Sequence, residues 1–458
     1  MKSISHEMAK FALDLEYTDI PAKAVKEVKR FMLDSVGCGL AAMKNEDMEQ
    51  AFEYIKTLGG KKQARIMGHG YLTNMPNATL MNSLLIRGMD YNDIYWEQDP
   101  SHPSDIIPAA LSPGEYRGSS GKELIEGILT AYELEMRMCL AAHPGVREVG
   151  WHHATLTQFV SPVVAGKMLE LTEKEIVAAV GISGSSHSTF GGVVAGDLTN
   201  MKNTADPMAV EAGVRAAMLA ETGFSGPVKV FEGKEGLFEV INNVEWDSDI
   251  LTDGLGKNFL ITDCEYKAFP TEALTHQPIT AALEIMKDHT IDPENVKKIV
   301  IETTTRGADI LSDPSKYKPE TKETADHSLP YCIATAVAKG NVLPSDFELK
   351  ALKDPLVLEI IEKIKVVTNE EIDSLFPKVK RAICTIATKD GETYRNQVDH
   401  ARGSKENPLS DEEVISKFRA NASDVLSEER MDELIKATFD LEKFSNIGEY
   451  IDLLVSDR

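Results

Sequence analysis

No stretch of the 458-residue chain approaches the roughly 20 consecutive apolar residues that a membrane-spanning helix needs. The first thirty residues, MKSISHEMAKFALDLEYTDIPAKAVKEVKR, lack the apolar core of a signal peptide. They read as two amphipathic helices split at Ile20-Pro21, and a cytoplasmic protein is expected. Basic charge is scarce as well: 49 Lys and Arg face 73 Asp and Glu, a net charge of −24. With no basic stripe, nucleic acid and anionic membrane surfaces are excluded as partners. An anionic ligand would need local lysines, arginines or histidines to overcome the repulsion of the whole chain.

Cysteine is sparse and unpaired. Cys38, Cys139, Cys264, Cys332 and Cys384 stand singly among apolar neighbours, which predicts buried free thiols in a reducing compartment. No H-x-x-x-H spacing occurs and no cysteine lies beside a loop histidine, so no metal site is expected. No G-x-G-x-x-G follows a strand, which argues against a dinucleotide fold. GISGSSHSTFGG contains neither a G-K-[ST] phosphate loop nor a G-x-S-x-G elbow, and predicts a small-residue turn between helices.

At this length two domains are expected. Apolar residues recur at three and four in KAVKEVKRFMLDSVGCGLAAM, GKELIEGILTAYELEMRMCLAAH and TEKEIVAAVGISG, the helical period. Alanine and glycine dominate MAVEAGVRAAMLAETG, so close helix–helix approach is expected. Near residue 260 the character changes. VKKIVIETTTRG is β-branched and alternating, and KVKRAICTIATKDGETYRNQV holds two alternating runs joined at Asp390-Gly391, a hairpin signal. Residues 262–398 therefore read as an α+β domain and residues 1–261 as helical. Residues 399–458 read as a helical tail with a capping box at Ser410 and Glu413.

One segment concentrates acids. MDYNDIYWEQDPSHPSD, residues 89–105, carries Asp90, Asp93, Glu97, Asp99 and Asp105 around three aromatic rings, His102 and two prolines. Six histidines fall in Gly- or Pro-marked settings: His102, His152, His153, His187, His276 and His327. Lys202 sits in GDLTNMKNTADPM, in a polar turn ahead of the alanine-rich helix. Lys267 and His276 share YKAFPTEALTHQP, and His327 and Tyr331 share TADHSLPYC. Singly these are an exposed lysine, a satisfied histidine or a packed tyrosine. Together they fit removal of a proton α to a carboxylate, which needs cations or donors aimed at the growing carboxylate charge. It also needs a positioned base, and a general acid if a hydroxyl departs.

Taken in order, RFMLDSVGCGLAA, RGMDYNDIYWEQDPSHPSDIIPA, GWHHATLTQFVSPVVAGKMLEL, MKNTADPMAVEAGVRAAMLAETGFSGP, YKAFPTEALTH, ETADHSLPYCIATA and GSKENPLSDEEVISKF make the chain resemble the MmgE/PrpD family nearly end to end. That family includes 2-methylcitrate dehydratases and cis-aconitate decarboxylases. The resemblance implies a mainly α fold: a large all-helical domain built from residues 1–261 and 399–458, with an inserted smaller α+β lid domain at 262–398. It also implies a homodimer, no metal or organic cofactor, and a small di- or tricarboxylate substrate as the partner.

Carried over by position, the resemblance points to Asp90, His102, Lys202, Lys267, Tyr331 and a histidine of GWHH. Decarboxylases place that histidine directly after the G-aromatic pair, on His152, and dehydratases carry G-x-D-H, on His153. This chain has both, and its DYND loop and the spacing to HPSD are closer to the dehydratase pattern, which favours His153. Lys202 and Lys267 are then expected to stabilise carboxylate charge, and His102 and His153 to transfer protons. Asp90 is expected to orient them and Tyr331 to donate to substrate, while His152, His276 and His327 are expected to bind it. Ile94 stands where the family usually has threonine, which bears on the substrate. Glu97 and Asp99 are expected to face solvent. The leading reading is a carbon–oxygen hydro-lyase that dehydrates a tricarboxylic acid such as 2-methylcitrate or citrate. A cis-aconitate-type decarboxylase or a small-dicarboxylate epimerase is the alternative, and a non-catalytic relative the third.

Overall fold

The computed structural model describes residues 3–195 and 198–458. Across them the protein is mainly α-helical, as expected, and no described helix is long and apolar enough to cross a membrane. The chain forms two compact units. Residues 3–195, 200–264 and 410–458 make the first, and residues 198, 199 and 265–409 the second.

The first unit is a stack of helices whose starts are written in the sequence. Ser120 with Glu123, Thr172 with Glu175 and Ser410 with Glu413 each form a reciprocal capping box, which satisfies backbone N–H groups that the first turn leaves open. These boxes open the helices Gly121–Ala141, Glu173–Ser186 and Asp411–Ala422. At the centre, helix Ala154–Met168 packs against Met201–Glu221 and Glu173–Ser186. Small residues allow that approach: a Cβ on Gly213 would fall 2.1 Å from Ser161 Oγ, so only glycine lets these two backbones meet. Helix Asp411–Ala422 lies on Ala22–Ala42. There Lys417 Nζ reaches Asp34 Oδ1 at 2.8 Å and the Tyr91 carbonyl at 2.7 Å. GISGSS, expected as a turn, instead forms the end of helix Glu173–Ser186, and the chain turns only at the exposed His187. Glycine and serine cost a helix about 1 kcal/mol or less per residue, which packing against Phe159 and Pro227 can offset.

The second unit is built on a four-stranded sheet in the order Thr393–Val398, Ala382–Thr388, Val296–Thr303, Ile364–Thr368. The first three strands run antiparallel to their neighbours, and Ile364–Thr368 pairs parallel with Val296–Thr303. The hairpin expected at Asp390-Gly391 is present. Gly391 has φ +101°, a conformation that glycine adopts without penalty, and its N–H donates to the Thr388 carbonyl. Helix His276–His289 packs on the two hairpin strands and against helix Leu329–Lys339. All five cysteines are buried free thiols.

Candidate active site

The acidic stretch 89–105 is folded inward. Helix Met75–Arg87 ends beside Gly88, and Asp90 follows with φ +49°, a left-handed conformation that aspartate tolerates better than most residues. That turn brings the Asp90 carboxylate back onto Arg87, which donates from Nη1 to Oδ1. The other oxygen takes a hydrogen bond from Lys202 Nζ at 2.8 Å. Asp93 then staples the far end of the loop, accepting from the Ser104 N–H at 3.1 Å and the Ser104 hydroxyl at 2.6 Å. Burial pushes the Asp93 carboxyl up to about 6. Its backbone carbonyl accepts from His102 Nδ1 at 2.6 Å, and this places the basic lone pair of a neutral His102 on Nε2.

Asp99 does not face solvent as expected. It is fully buried and accepts from the N–H groups of Val146 and Arg147 at 2.7 and 3.1 Å. A carboxylate there caps the short helix Val146–Val149, although burial still pushes its carboxyl above the ordinary value against those two hydrogen bonds. Glu97 is exposed. Pro103 opens the single turn Pro103–Ile106, where a missing N–H costs nothing.

Lys202 is not in a polar turn before the alanine-rich helix. It is buried inside the first turn of Met201–Glu221. Four residues on, and therefore on the same face, stands Asp206. Asp206 Oδ2 lies 3.0 Å from His153 Nε2. His153 is buried, and its Nδ1 has no hydrogen-bond partner among the described residues. The His152 ring lies against it, centroids 4.0 Å apart, and the His102 ring is 6.0 Å away. Burial, then the neighbouring His153, holds the His152 imidazole well below its ordinary value, so it is neutral. Its Nδ1 accepts from the Ala154 N–H at 3.2 Å, which leaves Nε2 to carry the proton. For Asp206, burial pushes the carboxyl up, yet His153, through its charge and its hydrogen bond, leads the groups that hold it far below the usual carboxylate range.

The structure thus gathers Asp90, His102, His152, His153 and Lys202, and adds groups that sequence reasoning missed. Arg87 stands between Asp90 and Asp105, 3.7 Å from Asp105 Oδ2. Asn203 is buried with neither amide atom hydrogen-bonded among the described residues. Glu135 accepts from Ser101 Oγ at 2.6 Å and Thr157 Oγ1 at 2.9 Å, and burial pushes it up to about 8. Both Asp206 and Glu135 had a signal. Asp206 lies one helical turn from Lys202. Glu135 has only Ala131, Tyr132, Met138 and Cys139 at helical neighbour positions, whereas Glu133 has Arg137, which binds it at 2.7 Å. Ile94, buried, offers its carbonyl to Cys264 Sγ at 3.6 Å.

In the second unit, buried Lys267 donates from Nζ to the Thr271 carbonyl at 3.0 Å, and His276 Nε2 lies 3.4 Å from the same oxygen. His327 Nδ1 is 2.6 Å from Asp326 Oδ1. The donor role expected for Tyr331 is not what its geometry supports: a hydroxyl has one proton, and here it goes to the Asp346 carbonyl at 2.5 Å. That bond ties helix Leu329–Lys339 to the turn Pro344–Phe347. As for metals, donor atoms of His152, His153 and Asp206 lie within 4.8 Å of one another, a set a divalent ion can use.

Models of the MmgE/PrpD N-terminal and C-terminal domains match residues 6–248 and 269–441. The chain is 25% identical over 471 residues to a cis-aconitate decarboxylase of Homo sapiens, covering 99% of this chain and 95% of that protein. It is 24% identical to the cis-aconitate decarboxylase-like protein oryM of Aspergillus oryzae, covering 99% and 97%. To a 2-methylcitrate dehydratase of Salmonella typhi it is 23% identical, covering 95% and 94%. With both of its domain models matched along most of its length, the chain belongs to the MmgE/PrpD family.

Proposed function

We propose that this protein is a cofactor-independent lyase that removes a proton α to a carboxylate of a short tricarboxylic acid and expels a β-hydroxyl as water. The observation that carries this reading is the His153–Asp206 pair: Nε2 is held by a buried carboxylate, and Nδ1 is unpartnered among the described residues. A carboxylate behind an imidazole fixes its tautomer and stabilises the imidazolium that forms when it takes a proton. In this reading His153 Nδ1 is the base. His102, tethered through Nδ1 to the Asp93 carbonyl, enters the step as the imidazolium and gives its Nε2 proton to the departing hydroxyl, returning to the neutral form. One proton is taken and one returned, so water leaves and the enzyme's charge is unchanged over the step.

Charge that grows on the substrate carboxylate meets Lys202, with Asn203 beside it as an amide donor. For Lys267, His276 and His327 of the second unit, carboxylate binding is a reading that rests on the family resemblance alone. Tyr331 is left out because its proton is committed elsewhere. Decarboxylation of a cis-aconitate-like acid is the second reading. It is favoured by the neutral His152, whose Nε2–H sits beside the base as a donor.

Incubation with 2-methylcitrate, citrate and cis-aconitate separates these readings. Dehydration gives an unsaturated product seen by its absorbance, with no carbon dioxide by mass spectrometry. Carbon dioxide from cis-aconitate selects the second reading, and solvent deuterium entering unconsumed substrate selects an epimerase. If no acid turns over, the enzyme reading fails.

A further inference from the structure

Glu135 has no role in the chemistry above, yet it is one of the most deeply buried acids in the first unit. It lies in the middle of helix Gly121–Ala141, and its Oε2 has no hydrogen-bond partner among the described residues. Its Oε1 is shared by the hydroxyls of Ser101, at 2.6 Å, and Thr157, at 2.9 Å. The Thr157 oxygen is also 3.3 Å from Asp206 Oδ1, and the other Asp206 oxygen meets His153. Four side chains from three helices and a helix entry therefore form one line: Glu135, Thr157, Asp206, His153.

Thr157 has one hydroxyl proton, and it cannot serve both carboxylates. If Glu135 is ionised, it draws that proton, Asp206 Oδ1 loses its donor, and two carboxylates stand close together without a cation on Glu135. If Glu135 is protonated, it donates to Thr157 Oγ1, which passes its own proton to Asp206. The single negative charge then sits on Asp206, opposite His153. The groups facing Glu135 favour the second arrangement. Asp206 on Met201–Glu221 and Asp99 in the acidic stretch both oppose a further negative charge, and Cys139 one turn on is a neutral thiol. Arg137, on the same helix, is held by Glu133, and Arg87 by Asp90. His153, His152 and His102 face Asp206.

We propose that Glu135 is a protonated positioning residue that sets the direction of the hydrogen-bond chain Glu135–Thr157–Asp206–His153, so that His153 keeps its proton on Nε2 and presents Nδ1 to substrate. This deepens the reading of His153 as the base and rests on it. Burial holds the Glu135 proton up to about pH 8. Above that the carboxyl ionises, the Thr157 hydroxyl turns toward it, and Asp206 is left with His153 alone.

The test begins without substrate, so that it stands apart from the identity of the reaction. Infrared titration of the full chain between pH 6 and 10 is compared with Glu135→Gln, which mimics the protonated acid but cannot ionise. A protonated-carboxyl band that disappears near pH 8 in the natural protein and is missing from Glu135→Gln supports the proposal. Superimposable titrations overturn it. With whichever acid turns over, the alkaline fall in kcat centred near pH 8 should vanish in Glu135→Gln, and its survival overturns the proposal. Thr157→Val should lower kcat about tenfold at unchanged KM, and Thr157→Ser should restore it, as loss of one hydrogen bond predicts. A Thr157→Val enzyme with the natural kcat overturns the chain. If no acid is turned over but the carboxyl band behaves as stated, the function fails while the Glu135 assignment stands.

Discussion

Replacing Asp206 with asparagine removes a negative charge while leaving the side chain's shape almost unchanged. In the natural protein a carboxylate oxygen stands 3.0 Å from His153 Nε2. At an effective dielectric constant near 20, an imidazolium and a carboxylate at that distance attract by on the order of 5 kcal/mol. Asparagine keeps a hydrogen bond but not this attraction, and it can turn its amide to stabilise the wrong tautomer. We expect kcat to fall by about 10²–10⁴, equivalent to ~3–5 kcal/mol in the barrier, with a much smaller change in KM. Stability carries an independent sign. Burial opposes ionisation of Asp206, but His153 above all outweighs it and holds the group below the ordinary carboxyl value of 3.8. A depressed carboxyl contributes stability that is present above the unfolded value and lost as pH falls through the folded one. Thermal melts from pH 6 to pH 3 should therefore show the natural protein losing stability below about pH 4 faster than Asp206→Asn. An Asp206→Asn enzyme with natural kcat from pH 6 to 9, together with parallel melting curves, would refute the pairing and the role built on it.

Glu135 has the opposite sign: its folded value, about 8, lies above the ordinary glutamate value of 4.5, so stability declines as pH rises between them. Denaturant melts should show Glu135→Gln gaining on the natural protein from pH 5 to pH 8, by up to roughly 4–5 kcal/mol from the linkage alone. Lys417→Met strips the buried Asp34 of its cation and should cost about 3–5 kcal/mol, with the double variant Asp34→Asn/Lys417→Met less destabilised than the single effects sum to in a denaturant cycle. Ile94→Thr adds the hydroxyl that the family resemblance leads one to expect at this position. If it meets substrate, kcat/KM for 2-methylcitrate or cis-aconitate should rise about 2- to 10-fold, and no change for any acid would remove Ile94 from the specificity argument. Exhaustive dialysis against a chelator should leave kcat unchanged; restoration of lost activity by a divalent ion would assign a metal to His152, His153 and Asp206.

Period and punctuation carried the fold. The capping box at Ser410, the β-branched run at Val296 and the Asp390-Gly391 turn each dictate local structure through their own atoms, and each is present. Where local rules compete with packing, the sequence was a poorer guide. Asp99 looks like a solvated acid until the N–H groups of Val146 and Arg147, 47 and 48 residues away, are brought to it. Lys202 looks like an exposed lysine until Asp90, 112 residues away, accepts from it. The site was legible where chemistry demands unusual residues, as at His102 and the GWHH pair. It was illegible where an ordinary residue becomes unusual through its surroundings. Nothing in TLTQ announces that the Thr157 hydroxyl lies between two buried carboxyls. Tyr331 is a related case: its proton goes to the Asp346 carbonyl, a backbone group that no side-chain pattern marks.

The contact between Lys417 and Asp34 spans 383 residues of chain, with the whole of residues 265–409 emerging between its two ends. At roughly 5–20 residues per second, synthesis separates the partners by about 20–80 seconds. During that interval helix Ala22–Ala42 exposes the face that Phe418 will cover, and Asp34 waits without its lysine. The second unit's strands and helices are all available before the first unit's last helices exist. The order of completion therefore need not follow residue numbers: the part encoded in the middle can finish first, while the part encoded first waits for residues 410–458. Because Lys417 also holds the Tyr91 carbonyl, the acidic stretch 89–105 gains one of its anchors only when the segment after residue 410 arrives. A nascent chain that stalls before residue 410 lacks that anchor, which makes completion of the candidate site a late event in synthesis.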